Sequence, residues 1–245
     1  MSKYAYEQKE HEEESYFVSM TDMMVGLLFI FILMLMYFAL QYQKSTENLQ
    51  NAEDTRTQIL HEIQQQLEKQ NIKITVDEES GVLRLPEESL RFPSGQYEIR
   101  SEEMAVIHTL ASALNAVLPC YAIGNERPAE CPKSPHGLEA VFIEGHTDDK
   151  PIGQSIDGNW DLSVARSVNT YKAMISAQPG LSRLRNRDGQ YLLSVSGYGE
   201  NRPIVQNDTE EHRRMNRRID IRFIMSTPKQ NATELVINKI KEKIE

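Results

Sequence analysis

The longest hydrophobic stretch of the chain lies near its beginning, in the sequence SMTDMMVGLLFIFILMLMYFAL. No residue from Met23 to Leu40 is charged, and a helix that begins at Phe17 and ends at Leu40 would be about 36 Å long. Because the hydrocarbon core of a bilayer is about 30 Å thick, this pattern predicts a membrane-spanning helix over residues 17–42. Its acidic N-terminal flank, and the lack of a small-residue cleavage sequence after Leu40, favour a retained anchor over a signal peptide.

One acidic residue, Asp22, lies near the start of this predicted span. A carboxylate in hydrocarbon costs about 2.5–3.5 kcal/mol, so an acid in such a helix usually faces protein or water and has a function. Asp22 is therefore a candidate ion-binding residue. The pattern leaves a second interpretation open, in which Asp22, close to Ser19 and Thr21, caps a helix N-terminus at the level of the lipid headgroups.

A polar segment that is rich in helix-forming residues and free of glycine and proline follows the span, at residues 43–72. Leu49, Leu60, Ile63 and Leu67 recur at spacings near three and four, which predicts that the membrane helix continues as a stiff stalk of about 40 Å. The apolar edge of this stalk could pack against a second copy of the chain, so a homodimer is expected.

From about residue 72 the pattern changes to short strands that alternate with helices. The predicted order begins with two strands around a glycine turn in ITVDEESGVLRLP, a helix capped by Ser101 in SEEMAVIHTLASALNAVL and a strand in EAVFIEG. A helix in DLSVARSVNTYKAMIS and a strand in YLLSVSGYG come next. A short helix in TEEHRRMN and a strand in RRIDIRFIM complete the order. This alternation predicts an α+β domain, with a sheet covered by helices, over residues 73–226. A helical tail is expected over residues 227–245.

Composition and charge exclude several functions. A net charge of −9 argues against a general nucleic-acid binder, and the arginines near the C-terminus have no interleaved aromatic residues, so a solvated face or ion pairs explain them better. His146 and Asp148 have no further histidine at ligand spacing, so no metal site is predicted. Ser163 has no nearby histidine, so it is interpreted as a structural residue and no hydrolase is inferred. The chain is expected to be neither an enzyme nor dependent on a cofactor.

Several ordered motifs of the domain resemble a known family. The runs VFIEGHTDDKPI, NWDLSVARSVNTYKAM, LSVSGYGENRPIVQND and RRMNRRIDIRF are similar to the OmpA-like peptidoglycan-binding domain at the C-terminus of MotB-like motor stator subunits. The resemblance covers about residues 73–226 and implies a mixed sheet covered by helices. The acid-bearing span before the domain matches the two-part plan of those subunits, in which Asp22 takes the position of the ion-binding aspartate.

The resemblance also implies a set of peptidoglycan contacts. Asp148 would bind the ammonium group of a stem peptide, and Arg166, treated as a surface residue whose loss costs little stability, would bind a carboxylate with its planar fork. The full set of implied contact residues is Thr147, Asp148, Asn159, Leu162, Arg166, Arg213, Asn216 and Arg217.

Cys120 and Cys131 flank a proline-bearing insertion before the predicted strand EAVFIEG. In a domain that faces an oxidising periplasm, two cysteines at this spacing predict a disulfide that closes the loop, worth about 2–3 kcal/mol. The alternative is a pair of free thiols.

The amino-acid sequence of the span and the short stalk after it resemble those of the B subunits of Zorya anti-phage defence systems. This implies a B-subunit dimer inside a ring of five multi-span A subunits, with Asp22 binding and releasing a proton, or less readily Na⁺. It also implies an acidic cytoplasmic tail at residues 1–16 and a periplasmic domain anchored in the inner membrane. A flagellar stator B subunit is one alternative, and a passive envelope tether that binds peptidoglycan is another.

Overall fold

The computed structural model describes the backbone of residues 2–92, 95–132, 134, 136–152 and 158–226, and their side chains from Phe17 onwards. The chain divides into two compact units, Met1–Leu49 and Gln50–Glu245, and each is described by itself. The helical tail predicted over residues 227–245 lies outside the described residues.

The first unit is part of one continuous helix, α1, which extends from Ser2 to Glu68. From Phe17 onwards α1 contains a segment with a mean hydropathy of 2.7, none of it buried, which is long and apolar enough to cross a membrane. Asp22 lies well inside α1, so the interpretation of Asp22 as an N-terminal helix cap is wrong. The neighbouring Thr21 donates from Oγ1 to the carbonyl oxygen of Phe17 at 2.7 Å, within the same helix.

The second half of α1, from Gln50 to Glu68, belongs to the second unit. Its residues Ile59, Leu60, Ile63 and Leu67 are fully buried in the hydrophobic core of that unit. From Gln50 onwards the predicted stalk is thus part of the folded domain. The apolar edge that was expected to pack against a second copy is covered by the chain's own core, so it gives no reason to expect a dimer.

The second unit contains a mixed five-stranded sheet. Its strands are β1 (Thr75–Asp77), β2 (Val82–Pro86), β3 (Leu138–His146), β4 (Leu193–Gly197) and β5 (Arg218–Met225). They lie in the order β1-β2-β5-β3-β4, and all neighbouring pairs are antiparallel except β3 and β4. Gly81, with φ +66°, makes the predicted turn between β1 and β2. The predicted strands are thus confirmed, and the sheet is mixed.

Two helices, α2 (Met104–Val117) and α3 (Asn159–Ala177), pack together, and α3 lies on β3 and β4. Alternate residues of β5, Ile219, Ile221 and Phe223, form an apolar face that is buried, as expected for a sheet covered on this side. A third helix, α4 (Glu210–Asn216), immediately precedes β5. The positions predicted for these three helices are confirmed.

Glycine and small residues set the distance between α3 and the sheet. A Cβ atom on Gly145 would lie 2.1 Å from the carbonyl oxygen of Ser163, a contact that real side chains do not make. Ser163 is fully buried and donates from Oγ to the Trp160 carbonyl oxygen at 2.7 Å. The interpretation of Ser163 as a structural residue agrees with this position.

Of two local predictions, the helix cap at Ser101 and the disulfide, only the disulfide is confirmed. The predicted Ser101 cap is wrong, because α2 begins at Met104 after Glu103 and makes no side-chain capping bond. Ser101 lies in a turn before α2, in which its carbonyl oxygen accepts from the Met104 N–H. The sequence alone could not distinguish such a turn from a helix cap. The predicted disulfide between Cys120 and Cys131 is confirmed, with the two Cα atoms 5.2 Å apart.

Candidate functional site

A charged cleft of about 420 Å³ lies where β3 ends, β5 begins and α3 starts. Six of the eight predicted contact residues line it: Thr147, Asp148, Asn159, Leu162, Arg166 and Arg217. The other lining residues are Glu87, Arg91, Phe92, Gly95, Lys150, Pro151, Ile152 and Glu210. The cleft thus combines acids, bases and apolar walls, a set of groups that suits a zwitterionic peptide-like ligand.

Strand register brings the central ion pair of the cleft together. His146, the last residue of β3, lies opposite Arg218, the first residue of β5. Asp148 lies two residues after His146, and Arg217 lies one residue before Arg218, so both lie just beyond the end of the ladder. Arg217 donates from Nη1 to Oδ2 of Asp148 at 2.5 Å. Two motifs that are far apart in sequence therefore supply one ion pair.

Arg217 is the centre of a wider network of acids. Its Nη2 atom donates to Glu87 Oε2 at 2.7 Å and to Glu210 Oε1 at 3.0 Å. Burial alone would lower the pKa of the Arg217 guanidinium, but its hydrogen bonds to Glu87 and Asp148 outweigh burial and raise that pKa. Arg217 therefore stays charged and holds three carboxylates at fixed positions.

Asp148 and Asn159 are fixed by backbone contacts. The carboxylate of Asp148 accepts from the Lys150 N–H at 3.1 Å through Oδ1. The Asn159 side chain donates to the carbonyl oxygens of Asp148 and Lys150, each at 3.1 Å. These bonds join the first residue of α3 to the loop after β3, so the two sides of the cleft keep their separation.

Arg166 lies deeper than expected. Only 4% of it is exposed, its Nε donates to the Gln96 carbonyl oxygen at 3.0 Å, and its guanidinium lies 5.0 Å from the centre of the Phe92 ring. Burial lowers the pKa of Arg166 to about 10, although Glu87 and Asp148 favour the charged form. The description of Arg166 as a surface arginine is therefore wrong, because α3 turns its side chain inward at the cleft floor.

Comparisons with known proteins agree with this architecture. Residues 129–217 match the model of the OmpA family. The chain is 30% identical to Motility protein B of Bacillus subtilis over 142 residues, which cover 58% of this chain and 44% of that protein. The chain thus contains an OmpA-like region, and it is similar in sequence to Motility protein B.

Two further proteins are similar. Uncharacterized protein YtxE of B. subtilis is 23% identical over 181 residues, which cover 72% of this chain and 63% of that protein. The chain thus spans less than two thirds of the length of either relative. A MotB-like protein from Desulfovibrio vulgaris, solved by crystallography, shares the fold with a TM-score of 0.52 and 23% identity, over 72% of this chain and 98% of that one.

Two predicted contact residues of the OmpA-like domain lie outside the cleft. Arg213 donates from Nε to Asp149 Oδ1 at 2.8 Å on the surface. Asn216 is fully buried, and its Oδ1 accepts from the N–H groups of Ile204 and Val205 at 2.9 and 3.3 Å. The Asn216 side chain is therefore unavailable to a ligand and instead fixes the loop before α4.

A second polar cluster of the OmpA-like domain lies under the end of the β3–β5 ladder. Glu144, His146 and Asp220 place one ligand atom each within 4.8 Å of the others, and all three are buried. Guanidinium groups already neutralise both acids, since Arg222 binds Glu144 with two bonds of 2.9 Å and Arg218 binds Asp220 at 3.1–3.2 Å. The cluster is thus an ion-pair network and a poor site for a cation.

Sequence reasoning missed the other eight lining residues, among them Glu87, Phe92, Lys150 and Glu210. Glu87 follows the end of β2, and Glu210 begins α4 after the Thr209 cap, where an acid is expected merely to stabilise the helix. Nothing in their local sequence indicates that both carboxylates meet Arg217. The register of β5 against β2 brings Glu87 to Arg217, and the direct step from α4 into β5 brings Glu210 there.

Proposed function

We propose that this chain is the peptidoglycan-anchored B subunit of an ion-driven rotary motor in a bacterial inner membrane. In this proposal the OmpA-like domain lies in the periplasm, the segment from Phe17 crosses the membrane, and the N-terminus is cytoplasmic. The domain binds the cell wall and holds the subunit still. Ion movement through Asp22 then turns a ring of partner subunits against it.

The observation that carries the proposal is the cleft around the Asp148–Arg217 ion pair. A stem peptide presents carboxylates and, at its diamino acid, a zwitterionic end. The cleft offers Asp148, Glu87 and Glu210 as acceptors, and Arg91 and Lys150 as donors at its walls. Ile152 and Leu162 give apolar surface for the aliphatic part of such a peptide.

The position of Asp22 supports the motor part of the proposal. A passive tether needs only hydrocarbon in its span, whereas an acid in the interior of an apolar helix is costly unless it faces protein or water. A partner with several membrane spans would supply that environment. Five such A subunits around two copies of this chain would correspond to the arrangement of the stators that the chain resembles.

A role in anti-phage defence is the more specific part of the proposal. It is supported by the amino-acid sequence of the span and by the few residues between the span and the domain, since Gln50 already belongs to the folded unit. A long linker before the wall-binding domain, as expected for a flagellar stator, is not found between Leu40 and Gln50.

Wall binding is tested by pelleting the full chain, purified in detergent, with isolated peptidoglycan sacculi. Asp148→Asn keeps the side-chain volume but removes the charge that pairs with Arg217 and faces the ligand, so we expect at least about tenfold weaker binding. Arg187→Ala, on an exposed loop away from the cleft, is the matched control and should bind as the wild type does. Equal pelleting of a folded Asp148→Asn variant would refute the assignment of the cleft.

A further inference from the structure

Strand β4 forms one edge of the sheet, and no other strand of the described chain pairs with its outer side. On its inner side, the Leu192 carbonyl oxygen accepts from the Val141 N–H of β3 at 2.8 Å. Because peptide groups alternate in direction along a strand, those of Leu193, Val195 and Gly197 point away from β3. The outer side of β4 thus presents a row of backbone donors and acceptors centred on Val195, which is 36% exposed.

The two edges of the sheet differ in how they are protected. Strand β1, at the opposite edge, has only three residues and contains the charged Asp77. Short strands and charged side chains are common devices that keep an edge from pairing with another chain. Strand β4 has the sequence LSVSG, with no charged residue and no proline. Its outer side is therefore open to pairing with another strand.

Helix α3 extends this surface on the helical side of the sheet. A Cβ atom on Gly197 would lie 2.6 Å from Cγ2 of Val164, so this part of α3 lies against β4. Apolar residues that remain at least partly exposed recur at helical spacing on the same side of α3; they are Trp160, Val164, Val168, Tyr171 and Ile175. An apolar stripe that continues onto an unpaired strand edge is typical of a surface that another protein covers.

The outer side of β4 is complementary to itself under two-fold symmetry. In an antiparallel pair about an axis at Val195, Leu193 of one copy lies opposite Gly197 of the other, so the outward backbone groups of both copies find partners. Because α3 lies on both β3 and β4, the two α3 helices would be separated by about two strand spacings, or about 10 Å. Packed helices are usually about 8–10 Å apart, so α3 would also pair with its copy.

Two exposed charges fit the same arrangement. Asp161 and Lys172 lie about three helical turns apart on one face of α3. Since Val164 lies against the end of β4, an axis through Val195 crosses α3 close to Val168, near the midpoint between the two charges. Asp161 of each copy would therefore face Lys172 of the other, which gives the surface charge complementarity as well as an apolar centre.

We propose that the α3–β4 surface, formed by β4 and the apolar stripe of α3, is where two copies of this chain pair. The two five-stranded sheets then join into one, with two antiparallel α3 helices packed on one of its faces. The inference rests on the proposed function in one respect, because that function calls for two copies. Leu162 and Arg166, which line the cleft, lie on the opposite side of α3, so both clefts stay open to the wall.

Cross-linking of the full chain in detergent tests this geometry. Val168→Cys places one thiol close to the two-fold axis, and the native cysteines are already bonded to each other, so this thiol is the free one. His108→Cys, at an exposed position of α2, is the matched control. With copper phenanthroline as the oxidant, we expect Val168→Cys to give at least about ten times more covalent dimer than the control does.

Further changes in the Val168→Cys background test the arrangement of the two copies. Asp161→Lys or Lys172→Asp alone sets like charges against each other and should lower cross-linking by about threefold, whereas the double exchange should restore it. Val195→Lys sets two like charges opposite each other on β4 and should also lower cross-linking. Ile224→Lys is the control for it, because Ile224 lies in the sheet with a similar exposure of 39% and should leave cross-linking unchanged.

Pelleting of the same variants with sacculi separates this inference from wall binding. Equal cross-linking of Val168→Cys and His108→Cys, as expected if another protein covers the α3–β4 surface, would overturn the inference. Failure of the double charge exchange to restore cross-linking would overturn it too, and normal pelleting in either case would leave the wall anchor intact. Efficient cross-linking of a chain that does not pellet would support the pairing and overturn the proposed anchor.

Discussion

Glu144 and Asp220 lie directly opposite each other on β3 and β5, although both are acids and each is only 1% exposed. Like charges in this cross-strand position destabilise a sheet unless they are compensated. Arg222 and Arg218 compensate them, and the imidazole of His146 lies 3.4 Å from Asp220. Arg84 also lies 3.7 Å from Asp220 and pairs with Asp77 at 2.6 Å, so three arginines face three acids and the network is balanced when His146 is neutral.

The first prediction concerns pH and this histidine. Burial lowers the pKa of His146 below its usual 6.5, with Asp220 opposing that shift only in part. In the unfolded chain the same group takes up a proton more readily, so the stability of the domain should fall as pH drops below about 6.5, by up to about 1.4 kcal/mol per pH unit. Urea unfolding between about pH 7.5 and about pH 5 measures this slope.

The pH prediction has a clear control. His146→Gln should flatten the slope in this range, whereas His108→Gln, on the exposed side of α2, should keep it. Asp220 does not contribute to the change in stability in this pH range. Burial raises the pKa of Asp220, but contacts with His146 and Arg218 outweigh burial and lower that pKa. Its contribution to stability is therefore lost only at more acidic pH. An unchanged slope in a folded His146→Gln variant would contradict the assignment.

The second prediction separates folding from binding at Arg166. Because Arg166 is 4% exposed and bonded to the Gln96 backbone, Arg166→Ala should lower the free energy of unfolding by about 1–3 kcal/mol. Arg166→Lys keeps the charge and most of the stem but loses the planar fork, so it should lose less stability and still weaken sacculus binding. The exposed control Arg187→Ala should stay within about 0.5 kcal/mol of the wild type. Wild-type stability of Arg166→Ala would contradict the buried position.

The sequence was sufficient for the order of strands and helices of the domain. Alternation in RRIDIRFIM and the glycine turn in ITVDEESGVLRLP depend on local backbone preferences, and both were confirmed in place. The apolar spacing of Leu60, Ile63 and Leu67 also indicated one buried face of α1. It could not indicate the partner of that face, because a periodic stripe looks the same against a second copy and against the chain's own core.

The cleft was predictable only in part, for the same physical reason. Asp148 and Arg166 lie in motifs whose residue types suggest recognition of a zwitterion. Glu87 became a neighbour of Arg217 through strand register, which joins segments 130 residues apart, whereas Glu210 reaches Arg217 because α4 leads directly into β5. Conversely, Asn216 is in a recognisable motif, yet its bonds to the loop at Ile204 and Val205 are tertiary contacts that the motif does not contain.

The third prediction concerns the disulfide. Cys120 and Cys131 are 11 residues apart, so their bond should stabilise the domain by about 3 kcal/mol through the smaller entropy of the unfolded chain. Replacing both cysteines by serine, or adding a reductant to the wild type, should cost about this much in urea unfolding. The loop keeps other anchors, because Arg127 donates to the carbonyl oxygens of Cys120 and Ser134. A reductant should leave the double variant unchanged, and an equal shift in both proteins would contradict the prediction.

The last prediction concerns Asp22 and depends on the motor part of the proposed function. If Asp22 binds and releases the translocated ion, Asp22→Asn keeps the shape of the side chain but removes the charge on which ion transfer depends. Each charge that crosses the membrane releases about 2.3 kcal/mol per 100 mV, which is the energy source that this variant would lose.

We therefore expect Asp22→Asn to keep wild-type binding to sacculi and co-purification with a multi-span partner, but to abolish ion flux and the protection or motility that depends on it. Asp54→Asn is the matched control, because Asp54 is an exposed acid of the same helix within the folded domain, and it should keep full activity. Flux assays in vesicles that carry the complex, with either a proton gradient or a Na⁺ gradient, identify the ion. Full activity of Asp22→Asn would refute the motor and leave a passive wall tether, since a span without a working carboxylate can only hold the domain at the membrane.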